Sequence, residues 1–407
     1  DALLRDQLQD HQSHALERQV KRILGSSPFY KMKLAGGTVK DLEGLEALPL
    51  TSRVEVLEAQ ASDPAWGGLL SVPISSVSVI GFSNAISAGL KGRTSLRLAA
   101  TSGDMRTRVG TASRAFTMAG SGPEDGTAIL GEVARSLLHH VFLGGLAGTG
   151  STPFQTGRGL TLRHARHTLP SMAPTQILTH PTYALYLAQL LEEEGLTLPV
   201  ERLFLWGETG PSVTTVRRTL EEAWNGAMVR DIYAMEETGV LAAECDQANG
   251  LHGFEDAFIY EVIDPVSEEV LGPGERGELV VTSLGSEAMP LLRYRTGDLV
   301  MTDDAPCPCG RTHIRLHVIG RVARTGNAEV IVIEQAKVEN LLARLSSLWG
   351  LYRIVLEEDG AFLEVPLAAL DEDRQAVAIN TALLAARSTR VDLRPVKELP
   401  VFNHRAV

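Results

Sequence analysis

The sequence predicts an α/β protein: a large N-terminal domain of helix-covered sheets with an antiparallel β addition, followed by a small α+β C-terminal domain. Three observations predict it. From about 75 to 325, short apolar runs such as SVSVIGF, TQILTH, RLFLW and MVRDIY alternate with helical patterns such as PTYALYLAQLLEEEG and SVTTVRRTLEEAW, as strands do with the helices that cover them. Between 257 and 302, AFIYEVIDP, RGELVVTSL and DLVMTDD read as consecutive strands joined by turns of the GPGERG kind. After Gly320 the order becomes β-α-β-β-α-β over about 85 residues, compact enough for a separate domain.

Each element has its own signal. Leu16, Val20, Ile23 and Leu24 give the N-terminal helix one apolar stripe, which Gly25 and Pro28 end. In the last part, EVIVIE is a strand, and Val338, Leu341, Leu342, Leu345 and Leu348 share a helix face. LYRIVLEE and AFLEVPL flank the turn at Asp359-Gly360, then a helix at about 371–386 precedes RVDLRPVK. A boundary at IGRVARTGN divides the chain into 1–320, a hinge at 321–326 and 327–407, with Gly320 and Gly326 supplying backbone freedom. No repeat or low-complexity segment interrupts this order.

Composition narrows the function classes. At 407 residues the chain exceeds one ordinary core, and 44% hydrophobic with 22% charged residues describes a soluble globular protein. A net charge of −12 without a Lys/Arg block argues against nucleic acid and against an anionic membrane surface. The default partner is a small molecule. No apolar run approaches the ~20 residues of a membrane span, and DALLRDQLQDHQSH lacks the features of a signal peptide, so the expected location is cytoplasmic. The sequence does not begin with Met, so a natural start upstream is an expectation, and a homodimer is the default assembly for a soluble enzyme.

Four segments carry candidate chemistry. In DIYAMEETG, residues 231–239, a strand runs into an aromatic, two carboxylates and a glycine, at the kind of strand end where open α/β sheets hold ligands. Tyr233 suits a planar base and Glu236 or Glu237 a Mg²⁺ ion; a solvated acidic loop is the bland alternative. In LLRYRTGDLV, Asp298 has two oxygens for both hydroxyls of a ribose, or serves a plain turn. In AATSGDMRTRVGTA, a small-residue loop around Thr101, Ser102 and Gly103 offers backbone N–H groups to an anion, without matching the GxxxxGK[ST] pattern. Finally, Cys245 and His252 in ECDQANGLH with Cys307 and Cys309 in PCPCGRTH make a Cys₃His set suited to structural zinc; three reduced thiols are the alternative. No G-x-S-x-G or HExxH motif supports a hydrolase.

Together, the order SPFY, LPLTSR, LGGL, THPTYAL, WGETG, DIYAMEETG, ECDQANGLH, GERGELVVTSLGSEAMPLLRYRTGD, CPCGRT and VIGR resembles the phenylacetate–CoA ligase family of adenylate-forming enzymes. The resemblance spans nearly the whole chain and is most specific over 233–321. It implies two half-reactions: ATP and a small carboxylic acid give an acyl-adenylate, then the C-terminal domain rotates and the thiol of CoA displaces AMP. It also implies that Tyr233 packs on adenine, Glu237 holds Mg²⁺, Gly207 and Glu208 border the nucleotide pocket, Asp298 binds the ribose, and Arg321 lies at the hinge near phosphate. A structural zinc on Cys245, His252, Cys307 and Cys309 fits several members.

Against the family's phosphate loop, Ser-Ser-Gly-Thr-Thr-Gly-Lys-Pro, stands Thr101 to Arg108, which sets the Asp104 carboxylate where triphosphate belongs. Glu236 stands where the family has Thr, Ala323 and Arg324 replace a pair of aspartates, and Arg405 is the cation nearest the place of the C-terminal catalytic lysine. The leading expectation is an acyl- or aryl-CoA ligase. Two alternatives keep the scaffold: ATP-independent transfer of an acyl group from acyl-CoA to a carrier-protein thiol or an amine, and non-catalytic binding of a nucleotide or acyl-adenylate.

Overall fold

A computed structural model describes residues 2–35, 37, 39, 41–62, 66–83, 95–131, 136–155, 162–208, 210–324, 330–342, 352–357, 360–366 and 391–396. The chain opens with α1 (Arg5–Ser26), α2 (Pro28–Leu34) and α3 (Arg53–Ser62), then the antiparallel hairpin β1 (Val77–Ser83) and β2 (Leu96–Thr101). Next come α4 (Ser102–Met118), β3 (Gly126–Ile129), α5 (Leu137–Gly148), β4 (Thr152–Gln155), α6 (Leu162–Met172), β5 (Gln176–Thr179), α7 (Pro181–Glu193), β6 (Arg202–Leu205), α8 (Thr214–Ala223) and β7 (Met228–Met235). Antiparallel strands follow: β8 (Gly239–Glu244), β9 (Leu251–Gly253), β10 (Phe258–Ile263), β11 (Arg276–Ser283), β12 (Tyr294–Asp303), β13 (Arg315–Arg324) and β14 (Val330–Ile333). The last elements are α9 (Gln335–Leu342), β15 (Arg353–Glu357), β16 (Gly360–Pro366) and β17 (Val391–Val396).

Among the described residues one twelve-stranded sheet runs β10-β11-β12-β13-β9-β8-β7-β6-β5-β3-β4, with β14 added to β13. Strand β7 is its pivot. It pairs in parallel with β6 and antiparallel with β8, so the parallel, helix-connected half meets the antiparallel half there. The predicted antiparallel addition is thus continuous with the α/β sheet. Strands rich in Val, Leu and Ile bury both faces, as helix-covered sheets require. Phe116, Phe142 and Phe204 fill the core under α4 and α5, while Leu187, Leu203 and Val216 fill the one under α7 and α8.

The apolar stripe of α1 is buried as its spacing requires, and its polar residues reach the same surface. Gln12 Nε2 donates to the carbonyls of Glu255 (2.9 Å) and Phe258 (3.3 Å), and Gln19 Nε2 to that of Ser286 (2.7 Å). These bonds fix the helix against the loops beside β10 and β11.

The C-terminal part departs from its predicted pattern in one respect. Strand β14, expected as the first strand of a separate unit, pairs with β13 and extends the large sheet. Strands β15, β16 and β17 form their own small sheet, and the helix expected at about 371–386 lies outside the described residues. Gly320 serves close packing, not backbone freedom: it sits in mid-strand, and a Cβ there would stand 1.8 Å from the Ile333 carbonyl oxygen and 2.8 Å from the Gln335 nitrogen. Main chain cannot yield as a side-chain tip can. Gly320→Ala is therefore expected to destabilise the protein by about 2 to 4 kcal/mol in urea unfolding, and an unchanged midpoint would contradict the close approach.

Candidate functional site

Side chains at the carboxyl end of the parallel strands converge on the β7–β8 turn. Arg108 of α4 crosses beneath it, fully buried, with Nη2 donating to the Glu237 carbonyl (2.7 Å) and Nη1 reaching that of Glu236 (3.4 Å). The turn's two carboxylates then point different ways. Glu236 accepts from the Leu138 amide (3.4 Å) at the start of α5, and burial pushes its pKa up, partly offset by bonds to Ser136 and Leu138. It is engaged as a helix-end anion, which is not the phosphate-facing place its position in the motif implied. Glu237 is 94% buried and ion-paired with Arg53, whose Nη2 also donates to Ser83 Oγ (3.0 Å) at the end of β1.

Three predicted residues, from β7, β12 and β13, meet beside that turn. Asp298 in β12 lies opposite Arg321 in β13, and its carboxylate accepts from Tyr233 Oη (2.6 Å) on one oxygen and from Arg321 Nη1 on the other. Burial would lower the Arg321 pKa, but the Asp298 charge raises it above the ordinary arginine value. Tyr233 is pushed well above the usual phenol value by burial and by the same carboxylate. An aromatic ring, a carboxylate and a fixed cation thus share one cluster. Such a set can hold a base, a pair of vicinal hydroxyls and an anion.

Gly207 and Glu208 follow β6 at the neighbouring strand end. Gly207 has φ +79°, and a Cβ there would stand 2.7 Å from His180 Nδ1, so glycine lets the chain close over that ring. Glu208 Oε2 accepts from the Thr182 amide (3.0 Å) and hydroxyl (2.7 Å), holding the loop to the start of α7. Below it, Asp231 accepts from Ser212 Oγ (2.7 Å). Burial and the Glu244 charge raise the Asp231 pKa to about 7.

The phosphate-loop expectation at Thr101 to Gly103 is overturned. These residues form no loop: Thr101 is the N-cap of α4, its hydroxyl accepting from the Asp104 amide (3.0 Å), while the Asp104 carboxylate accepts from the Thr101 amide (2.9 Å). That is a capping box, and the signal for it, T-x-x-D, was present in the sequence. Asp104 also accepts from the amides of Glu287 (2.6 Å) and Ala288 (3.0 Å), so its charge is spent on backbone donors. The Glu287 carboxylate takes the Thr101 hydroxyl (2.6 Å) and covers Gly103.

Thr101 also pairs with Val77, at the end of the hairpin opposite Ser83 and Leu96. At ~3.4 Å per residue that end is about 20 Å away. The connection leaving Ser83 spans 84–94 and reads NAISAGLKGRT; it lies outside the described residues. Its sequence carries glycines and a lysine between two strands, a composition suited to holding an anion. Arg405 also lies outside the described residues.

The cysteine set assembles as expected. The ligand atoms of Cys245, His252, Cys307 and Cys309 all lie within 4.8 Å of one another. Cys245 and Cys307 sulfurs are 3.9 Å apart, and Cys309 Sγ is 3.4 Å from His252 Nε2. His252 Nδ1 donates to the His313 carbonyl (3.3 Å), which leaves Nε2 for the cluster, and burial lowers the ring's pKa to about 4. Burial raises the Cys245 thiol to about 12. A neutral imidazole and thiols crowded within ligand distance are a donor set for a metal ion.

No protein-family model matches the chain. It is similar to the phenylacetate-coenzyme A ligase of Thermus thermophilus, 30% identical over 387 residues that cover 90% of this chain and 82% of the relative. The Pseudomonas putida enzyme of that name is 29% identical over 378 residues, covering 87% and 80%. Among solved structures, a 2-hydroxyisobutyryl-CoA ligase with 2-HIB-AMP and CoA in the thioesterification state superposes with a TM-score of 0.74 at 25% identity, covering 99% of this chain and 90% of the other. The same ligase in its postadenylation state gives 0.81 at 24% identity, covering 97% and 87%. Among the described residues no helix is long and apolar enough to cross a membrane. Sequence likeness over most of both chains, on a shared fold with the predicted nucleotide-side residues gathered at one strand end, places this chain in the phenylacetate–coenzyme A ligase family of adenylate-forming enzymes.

Proposed function

We propose that the protein joins a small carboxylic acid to CoA through an acyl-adenylate. The acid's carboxylate attacks the α-phosphorus of ATP and releases pyrophosphate; the CoA thiol then attacks the acyl carbon and releases AMP. The observation that carries this reading is the Tyr233–Asp298–Arg321 cluster beside the buried Glu237. Asp298 would exchange its present donors for the ribose hydroxyls, Tyr233 would lie against adenine, and Arg321 would be released toward phosphate. Glu237 fits Mg²⁺: it is one anionic oxygen donor at the site, already opposed by a cation, and such sites add one or two carboxylates to the phosphate oxygens. When bound, the ion neutralises charge on the phosphates.

ATP-independent transfer was motivated by Asp104 facing triphosphate. That motive falls away with Asp104 in a helix cap. The division into 1–320, a hinge at 321–326 and a mobile 327–407 is kept as part of this proposal, with Arg321 at the junction and the β13–β14 pairing as the contact that domain rotation would have to break.

The Cys245, His252, Cys307 and Cys309 cluster we assign to structural zinc, since three thiols and an imidazole match its preferred donors. Its role is to join β8–β9 to the turn between β12 and β13, which carry Asp298 and Arg321.

Two outcomes are expected. The protein should catalyse exchange of labelled pyrophosphate into ATP only with a suitable acid present, and Glu237→Gln should lower that rate by about 10²; no exchange across a broad panel of aryl and short-chain acids would sink the reading. Purified protein should carry one zinc per chain by elemental analysis, and Cys307→Ser should release it and lower the melting temperature by several degrees; unchanged metal content and melting would refute the zinc assignment.

A further inference from the structure

Behind the β7–β8 turn, on the side of α4 that faces α1, lies a cavity of about 390 Å³. That is within the range of small-molecule sites, about 300 to 1,000 Å³. Phe258, Leu284, Met289 and Leu291 give it an apolar floor, and Arg108 with Glu237 closes its inner end. His11 and Arg18 of α1 stand at its rim.

Two features argue for an occupant. Gly110 lines the cavity from the middle of α4, where glycine costs about 1 kcal/mol relative to alanine, yet a Cβ there would meet nothing within 4 Å. Gly285, on the opposite wall, is equally open. Packing requires neither glycine, and as they stand both leave the mouth of the cavity open.

Charge then decides the class of ligand. The three acids that line the cavity are already matched: Asp104 by backbone amides, Glu237 by Arg53, and Asp256 by a two-point contact with Arg114 at 2.6 and 2.7 Å. Arg18 is exposed at the rim and makes no ion pair among the described residues. What the walls still offer is apolar surface and a cation.

We propose that this cavity is a second small-molecule site, on the opposite side of α4 from the β1–β2 hairpin, for an amphipathic anion with an aryl or acyl body on the apolar floor and an acidic head at Arg18. The proposal does not depend on the ligase reading, because binding there requires neither ATP nor CoA. Its inner wall is Arg108, which holds the Glu236 and Glu237 carbonyls, so an occupant would bear on the turn that the nucleotide side uses.

The test titrates the intact protein with the aromatic sulfonate 8-anilinonaphthalene-1-sulfonate, following its fluorescence with AMP at saturation. One saturable micromolar site per chain is expected. Gly110→Leu, which fills the mouth, should weaken it by about tenfold or more, and Arg18→Glu by about fivefold. Both variants should keep the wild-type melting temperature and acid-dependent pyrophosphate exchange. Non-saturable fluorescence, displacement by AMP, or full binding by both variants would overturn the proposal. So would loss of exchange in a folded Gly110→Leu protein, which would make the cavity the acid's own pocket. Arg18 is on the surface, so Arg18→Glu reports even if Gly110→Leu fails to fold.

Discussion

Two side chains one turn apart on α4 set the geometry on which the site depends. The Asp104 carboxylate gathers the amides of Thr101, Glu287 and Ala288, which joins the end of β2, the start of α4 and the loop after β11 at one buried anion. Arg108 then carries the same helix to the β7–β8 turn and fixes it by two carbonyls. Both groups are buried, so each bond is worth more than at the surface and each missing partner would cost more. With the first two turns of α4 fixed, Glu237 is held where Arg53 can neutralise it.

Much of this was legible in the sequence. The alternation of apolar runs and amphipathic helices gave the layered sheet, because strand and helix periods differ and leave separate traces. Tyr233, Asp298 and Arg321 were legible as a group, since they lie on motifs whose strands end at one side of the sheet. The Cys₃His cluster followed from counting: a chain with three cysteines had few other ways to use them. What the sequence concealed were the long-range partners. Arg53 meets Glu237 across 184 residues and Arg108 meets the Glu237 carbonyl across 129, and no spacing rule reaches that far.

The misplaced phosphate loop has a specific cause. Thr, Ser, Gly and Asp favour both anion-binding loops and helix N-caps, because both uses depend on short side chains near free backbone amides. The T-x-x-D spacing separates them, and the helix that follows Thr101 settles it in favour of the cap. With Asp104 in the cap, the supposed conflict between an acidic residue and triphosphate disappears. Strand β14 was misassigned for a different reason. Its apolar run fits either domain, and its antiparallel pairing with β13 from Arg321 to Arg324, with Ile333 close against Gly320, joins it to the large sheet.

The central claim is that this chain activates a carboxylic acid by adenylation before forming a thioester. The most direct measurement follows oxygen. With an acid labelled by ¹⁸O in its carboxylate, ATP and CoA, mass spectrometry should find one ¹⁸O in the AMP released and the remaining one in the thioester carbonyl, because the attacking oxygen leaves with the phosphate. Thioester formed with unlabelled AMP, or without AMP, would contradict the account.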